Sequence, residues 1–315
     1  MKKLKYTGMI LMAALLVMSC DKHEIEFDAR SASDVALVQI HNEIPVPSGT
    51  AYNFLKVELN GVDVTYGNKV TLSSWNTIPT ALGRYYSTNT GEATIKLYQG
   101  TALNPVYEQK VTLKTGKQGV ILYDYNKPPL IVEEPDNYIP DRPSYDTDTI
   151  EYVRFFNLMQ EEPGVNSDLK LQYQYQYTLH PLYTLADEAS GTIPAGKNVG
   201  DATGDAAKSD WINMGDPVAF GENTGWQLVP VKKTSYVTQG SARIDYRIKV
   251  TQGGVEGASM TAGDNLLICY DRSSARTVNG YTDYWTGTVG RRYYHFFSGY
   301  RKVTPGVDIV QFIEK

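Results

Sequence analysis

The sequence predicts an all-β protein, and three observations carry that expectation. Tyrosine outnumbers phenylalanine 24 to 8, so the aromatic residues that favour strands carry polar tips suited to sheets with one wet face. Apolar and polar residues alternate with period 2 in several segments, which puts one face of each strand in a core and the other in water. No segment holds the 3.6-residue apolar period of an amphipathic helix for more than about two turns.

The chain opens on Lys2, Lys3 and Lys5, followed by the apolar run Met9–Met18 and then Ser19-Cys20. A charged start, a short apolar stretch and a small residue before cysteine form a bacterial export signal over residues 1–19. Val17-Met18-Ser19-Cys20 resembles a lipobox, in which Cys20 becomes the lipid-carrying first residue of the mature chain. The apolar run is far shorter than the roughly 20 residues a helix needs to cross a bilayer, so the expected anchor is the lipid. Residues 20–32 read as a tether.

Strand signals then run from residue 33 to 126. Leu55, Val57 and Leu59 alternate with Lys56, Glu58 and Asn60, and Asn60-Gly61 is a type I′ hairpin signal. Ala93, Ile95 and Leu97 alternate with Thr94, Lys96 and Tyr98. Residues 127–149 break the pattern with Pro128, Pro129, Pro135, Pro140 and Pro143 among acids, and read as a semi-extended interdomain linker. Alternation resumes over residues 150–315. Leu169, Leu171, Tyr173, Tyr175 and Tyr177 share one face, and Ile244, Tyr246, Ile248 and Val250 share another. Residues of about 178–217, rich in Gly, Ala, Asp and Ser with Trp211 near the end, read as a long loop insertion in the second unit.

The two halves share an ordered set of landmarks. Leu37–Asn42 matches Tyr152–Asn157, Tyr66-Gly67 matches Phe220-Gly221, and Gly91 matches Gly240, each glycine preceding an alternating strand. Thr115–Asp124 is paired with Ala262–Asp271. These landmarks resemble domain-of-unknown-function family 4397, over Asp34–Asp124 and more loosely over 151 to about 275. The resemblance implies two tandem antiparallel β-sandwich domains of Ig-like or transthyretin-like type, in a lipoprotein of the outer membrane of Bacteroidota-type bacteria, facing outward. The family has no established activity and lends no site residues.

Without residues 1–19 the chain carries 27 basic against 35 acidic residues, a net −8, which disfavours nucleic acid and anionic membrane surfaces as partners. Cys269 is then the one thiol left, in the apolar run Leu266–Tyr270, and reads as a buried core residue. His23, His41, His180 and His295 lack metal-ligand spacing, and Asp136, Asp141, Asp146 and Asp148 lack that of a calcium loop. Neither a nucleophile elbow nor a phosphate loop is present, so no catalytic residues, metal or cofactor are expected.

One segment suggests binding. Tyr281–Gly287 and Gly290–Phe297 read as an aromatic hairpin about a Gly-x-x-Gly turn. Its Tyr281, Asp283, Trp285, Arg292 and Tyr293, with Trp211 of the insertion, are the candidate ligand residues, because exposed rings beside polar groups suit a sugar. Tyr284 and Trp285 must point to opposite faces, and Trp285 is expected to be the exposed one. The expected partners are the membrane, through the lipid, and a polysaccharide or a second envelope protein engaged at sheet edges. Cys20→Ala is predicted to move the protein out of the detergent-soluble membrane fraction, read by fractionation and N-terminal mass. Unchanged fractionation without lipid mass on the mature chain overturns this.

Overall fold

A computed structural model describes residues 35–47, 49–67, 69–80, 84–134, 149–252 and 261–314. Cys20, the tether and Pro135, Pro140 and Pro143 of the expected linker lie outside them. The regular secondary structure of the described residues is nearly all strand, and none of their helices is long and apolar enough to cross a membrane.

Thirteen strands carry the architecture: β1 (Val35–Asn42), β2 (Phe54–Leu59), β3 (Gly91–Gln99), β4 (Tyr107–Leu113), β5 (Gly116–Leu122) and β6 (Leu130–Glu133) come first. They are followed by β7 (Thr149–Glu162), β8 (Lys170–Leu179), β9 (Gln227–Val231), β10 (Ser241–Gln252), β11 (Thr282–Thr288), β12 (Arg292–Tyr300) and β13 (Asp308–Glu314). Sheet I orders β2-β3-β4, sheet II β1-β5-β6, sheet III β9-β7-β12-β13 and sheet IV β8-β10-β11, with short strands added at the edges.

Three apolar clusters stack these sheets. One joins β1 and β5 to β2 and β3 through Val38, Ile40, Val57, Ile95, Leu97 and Val120. Another joins β7 and β12 to β8, β10 and β11 through Phe155, Tyr173, Tyr246, Trp285 and Phe297. The third lies between sheets II and III and holds Ile121, Tyr123 and Val132 against Phe156, Leu158, Tyr294 and Phe296. Sheets II and III are therefore covered on both faces. Each contains a parallel pair, β1 with β5 and β7 with β12, as sheets buried on both sides tend to.

The alternating segments fold as read. Ala93, Ile95 and Leu97 are core, as are Leu169, Leu171, Tyr173, Tyr175 and Tyr177 and Ile244, Tyr246 and Ile248. Asn60 and Gly61 both take positive φ, 54° and 77°, at the expected hairpin. A register shift between Phe54 and Lys56 brings Phe54 into the core and leaves Leu55 half-buried. Cys269 is buried, and burial pushes its thiol far above the ordinary range.

Two readings need correction. The counterpart of β5 in the second half is β12, which runs parallel to β7 as β5 does to β1. The landmark set against β5, Ala262–Asp271, forms a turn and half of a two-stranded ribbon instead. The opening landmark holds: Asn42 Oδ1 accepts from Ile44 N and Asn157 Oδ1 from Met159 N, each at 3.3 Å. Within the stretch assigned to the linker, Leu130–Glu133 pairs with β5 and Glu134 is buried.

The space between sheets II and III also encloses polar groups. Ser298 Oγ donates to Glu43 (2.8 Å) and accepts from Trp75 Nε1 (3.0 Å), while Tyr300 donates to the Pro45 carbonyl (2.9 Å). His41 packs against Tyr294, Phe296 and Phe312, its Nδ1 on the Thr77 hydroxyl at 2.9 Å. Burial holds His41 down to about 3 and pushes Glu43 up to about 8. Glu314, paired with Arg292 at 2.6 Å and hydrogen-bonded to Glu134, is pushed up to about 9, again mainly by burial.

A raised carboxyl stabilises the fold fully below its unfolded value and loses that contribution as pH rises through the folded one; the lowered His41 loses its contribution as pH falls toward about 3. Stability is therefore predicted to decline from mildly acidic pH through about 8, where Glu43 ionises. Glu43→Gln, which mimics the protonated form, should flatten that decline and raise the melting point on its alkaline side by about 2 °C or more. A melting profile that keeps the wild-type pH dependence contradicts this account.

Candidate functional site

β11 and β12 are not a hairpin. The turn Gly287–Gly290 carries the chain from sheet IV to sheet III, so β11 pairs with β10 and β12 pairs with β7 and β13. The two strands face one another across a core instead of sharing a sheet. Period-2 alternation cannot distinguish these arrangements, because both make every second side chain point inward.

Register decides which residue faces out. Ile244 lies opposite Trp285 and Asp245 opposite Tyr284, so Trp285 joins the inward row and Tyr284 the outward one. Trp285 is 1% exposed and Tyr284 48%, the reverse of the expectation. Trp285 packs with Tyr173, Tyr175, Tyr246 and His295 and donates from Nε1 to Glu151 at 2.8 Å. Glu151 also accepts from Thr288 N at 2.7 Å, and burial pushes its carboxyl up to about 8. A Cβ on Gly287 would lie 2.5 Å from Glu151 Oε1, so the glycine admits this carboxylate.

Three more candidates are core. Tyr281 is buried with its hydroxyl on Asp308 (2.7 Å), Tyr293 is buried in the same cluster, and Arg292 is buried in its pair with Glu314 between sheets II and III. Asp283 and Trp211 reach the surface together with Tyr284, which had not been expected there.

These three line a groove of about 480 Å³ on the outer face of sheet IV. Its floor is the cross-strand row Gln176, Asp245 and Tyr284. The insertion supplies the opposite wall: Ala207–Lys208 and Ile212–Asn213 pair with β8 and bring Lys208 and Trp211 to the groove. Upstream, the insertion forms a short helix, Leu185–Ala189, closed by a capping box between Thr184 and Asp187.

Each flanking ring carries a guanidinium, with Arg247 4.4 Å from the Trp211 ring centroid and Arg243 3.9 Å from that of Tyr284. The cations are also paired. Asp245 takes both Lys208 and Arg243, and Asp264 takes both Arg247 (2.8 Å) and Lys249 (2.7 Å). Gln174 accepts from Arg247 Nε at 2.7 Å, and Gln176 donates to the Ser209 carbonyl at 2.6 Å. Partial burial, with Asp308 and Asp271 nearby, raises the Asp283 carboxyl. The result is two fixed rings flanking a floor of oriented donors and acceptors with little net charge. That suits a polyhydroxylated ring with apolar CH faces.

Trp285→Ala is predicted to destabilise by about 3–5 kcal/mol, the scale of truncating a buried tryptophan, because it also strips Glu151 of a donor. Tyr284→Ala should change stability by about 0.5 kcal/mol or less. Denaturant melts check both, and equal midpoints for the two variants overturn the inward–outward assignment. No protein-family model matches this chain, and no curated protein matches it.

Proposed function

We propose that the protein is a non-catalytic, lipid-anchored binding protein of the cell envelope that holds a neutral glycan in the groove between Trp211 and Tyr284. In this reading the export signal and Cys20 tether it to the outer membrane, facing outward. The sheet pairs I with II and III with IV are two tandem β-sandwich units of the kind the resemblance to domain-of-unknown-function family 4397 implies. It serves as an accessory glycan-binding protein of a surface uptake system.

The observation that carries this reading is the pairing of two ring platforms with an ion-paired floor. A sugar offers CH patches for stacking and hydroxyls for hydrogen bonds, and the groove offers both complements. A polyanion would find each of the groove's cations already engaged, Arg243 and Lys208 sharing Asp245 and Arg247 and Lys249 sharing Asp264, while an uncharged glycan needs none of them released. Binding should therefore depend little on salt, unlike binding driven by unpaired charge.

Trp211→Ala and Tyr284→Ala are each predicted to weaken retention on a neutral polysaccharide about tenfold or more, the loss expected for a buried aromatic contact of about 1.5–3 kcal/mol. Melting points should stay close to wild type, and added salt should leave wild-type retention unchanged. If a broad panel of neutral polysaccharides retains nothing while pull-down returns an envelope protein, the rival reading of an adhesive module replaces this one.

A further inference from the structure

The first half carries a second aromatic pocket, distinct from the groove on sheet IV. Its volume is about 520 Å³, and Tyr66, Tyr85 and Tyr86 line it with Val70, Thr80 and Arg84. That volume lies in the range of sites that enclose small molecules. Tyr66 and Tyr86 meet as a corner, their ring centroids 6.4 Å apart and inclined at 54°.

Two features set this pocket apart from a chance surface dent. Tyr66 is 60% exposed and sits at φ 54°, in the left-handed region that a bulky side chain rarely adopts. The turn beneath it enforces that conformation: Asp63 accepts from Thr65 N (2.8 Å) and Gly67 N (3.0 Å), on either side of Tyr66. A strained backbone that presents a large ring to water costs stability, and such strain concentrates at binding sites. Tyr85 is also fixed, by its hydroxyl bond to Glu134 (2.6 Å) and by Lys117, whose Nζ lies 5.7 Å from the ring centroid.

The second feature is charge. Arg84 is exposed on the pocket wall, and among the described residues it has no carboxylate partner. Arg243 and Arg247 of the groove are each stacked on a ring and paired with an aspartate. A guanidinium beside an aromatic corner, with no carboxylate partner among the described residues, matches a planar carboxylate, which it can engage through two parallel hydrogen bonds.

We infer that the Tyr66–Tyr86 pocket binds a carboxylated pyranose, with the sugar's CH face on Tyr66, its carboxylate on Arg84 and a hydroxyl at Thr80. This site is independent of the groove in both position and charge preference.

The test uses the full-length protein in detergent and two probes, methyl glucuronide and methyl glucoside, which differ only in the carboxylate. Calorimetry should show the glucuronide bound at least about tenfold more tightly, the scale of losing one charge-assisted contact. Arg84→Gln should make the two sugars bind alike. Tyr66→Gly should abolish the tighter glucuronide binding while keeping or raising the melting point, because glycine adopts φ 54° without strain. Trp211→Ala should leave glucuronide affinity unchanged. Equal wild-type affinity for the two sugars, no glucuronide binding, or unchanged binding in Tyr66→Gly overturns the inference. Loss of glucuronide binding in Trp211→Ala places the sugar in the groove and overturns it as well. The groove itself is read by neutral polysaccharide retention, so the two proposals fail separately.

Discussion

The double burial of sheets II and III is the constraint on which the rest of the structure depends. Four sheets share three cores, so the central strands of the inner two are covered on both faces and the outer two sheets have one solvated face each. The consequence appears strand by strand. All nine residues of β12 are buried, whereas β3 and β8 alternate between core and surface. Polar groups between sheets II and III therefore need partners from the opposite sheet, and Glu43–Ser298, Tyr300–Pro45 and Glu134–Glu314 supply them. Removing one partner leaves a buried polar group unpaired, which makes these contacts more consequential than surface ion pairs.

The same layering frees the outer face of sheet IV for a ligand. Its inner face is held by Tyr173, Tyr246 and Trp285, so the outward residues of β8, β10 and β11 stand on a rigid base. Rigidity is what lets a shallow groove discriminate, since ordering loose side chains on binding would offset the contacts they make. The insertion fits this picture because two of its short segments add to the edge of sheet IV. It contributes Trp211 from the backbone between these two paired segments.

Much of this was legible in the sequence wherever strands are half-buried. Alternation located β3, β8 and β10 and sorted their faces correctly, because one solvated face leaves a polar residue at every second position. It failed at Tyr281–Phe297. Parity separated Tyr284 from Trp285, but the sign depends on what lies opposite, and only pairing with β10 sets Trp285 beside Ile244. The flanking threonines Thr282 and Thr286 share parity with Tyr284 and were the available signal for an outward row; Asp283 on the other parity obscured it. β12 gave no alternation to read, because both its faces are covered. The Tyr66 pocket was illegible for a different reason: it joins a turn to a segment nearly twenty residues later, and only the fold brings them together.

The treatment of arginine distinguishes the two ligand surfaces. On sheet IV every guanidinium near a ring is also bound to a carboxylate, so its hydrogen-bonding capacity is largely spent and its charge is offset. Such an arginine stiffens a platform and contributes shape. At the Tyr66 pocket the guanidinium has no carboxylate partner among the described residues and lies beside rings that are themselves held in place. There, recognition of an anion has less competition to overcome than a ligand that must first displace Asp245 or Asp264. An acidic chain such as this one repels anions at long range, so a carboxylate is accepted only where a cation is locally unpaired. In the proposed pocket the acidic net charge and an Arg84 with no carboxylate partner among the described residues would act together, the first limiting nonspecific capture and the second favouring an anionic sugar.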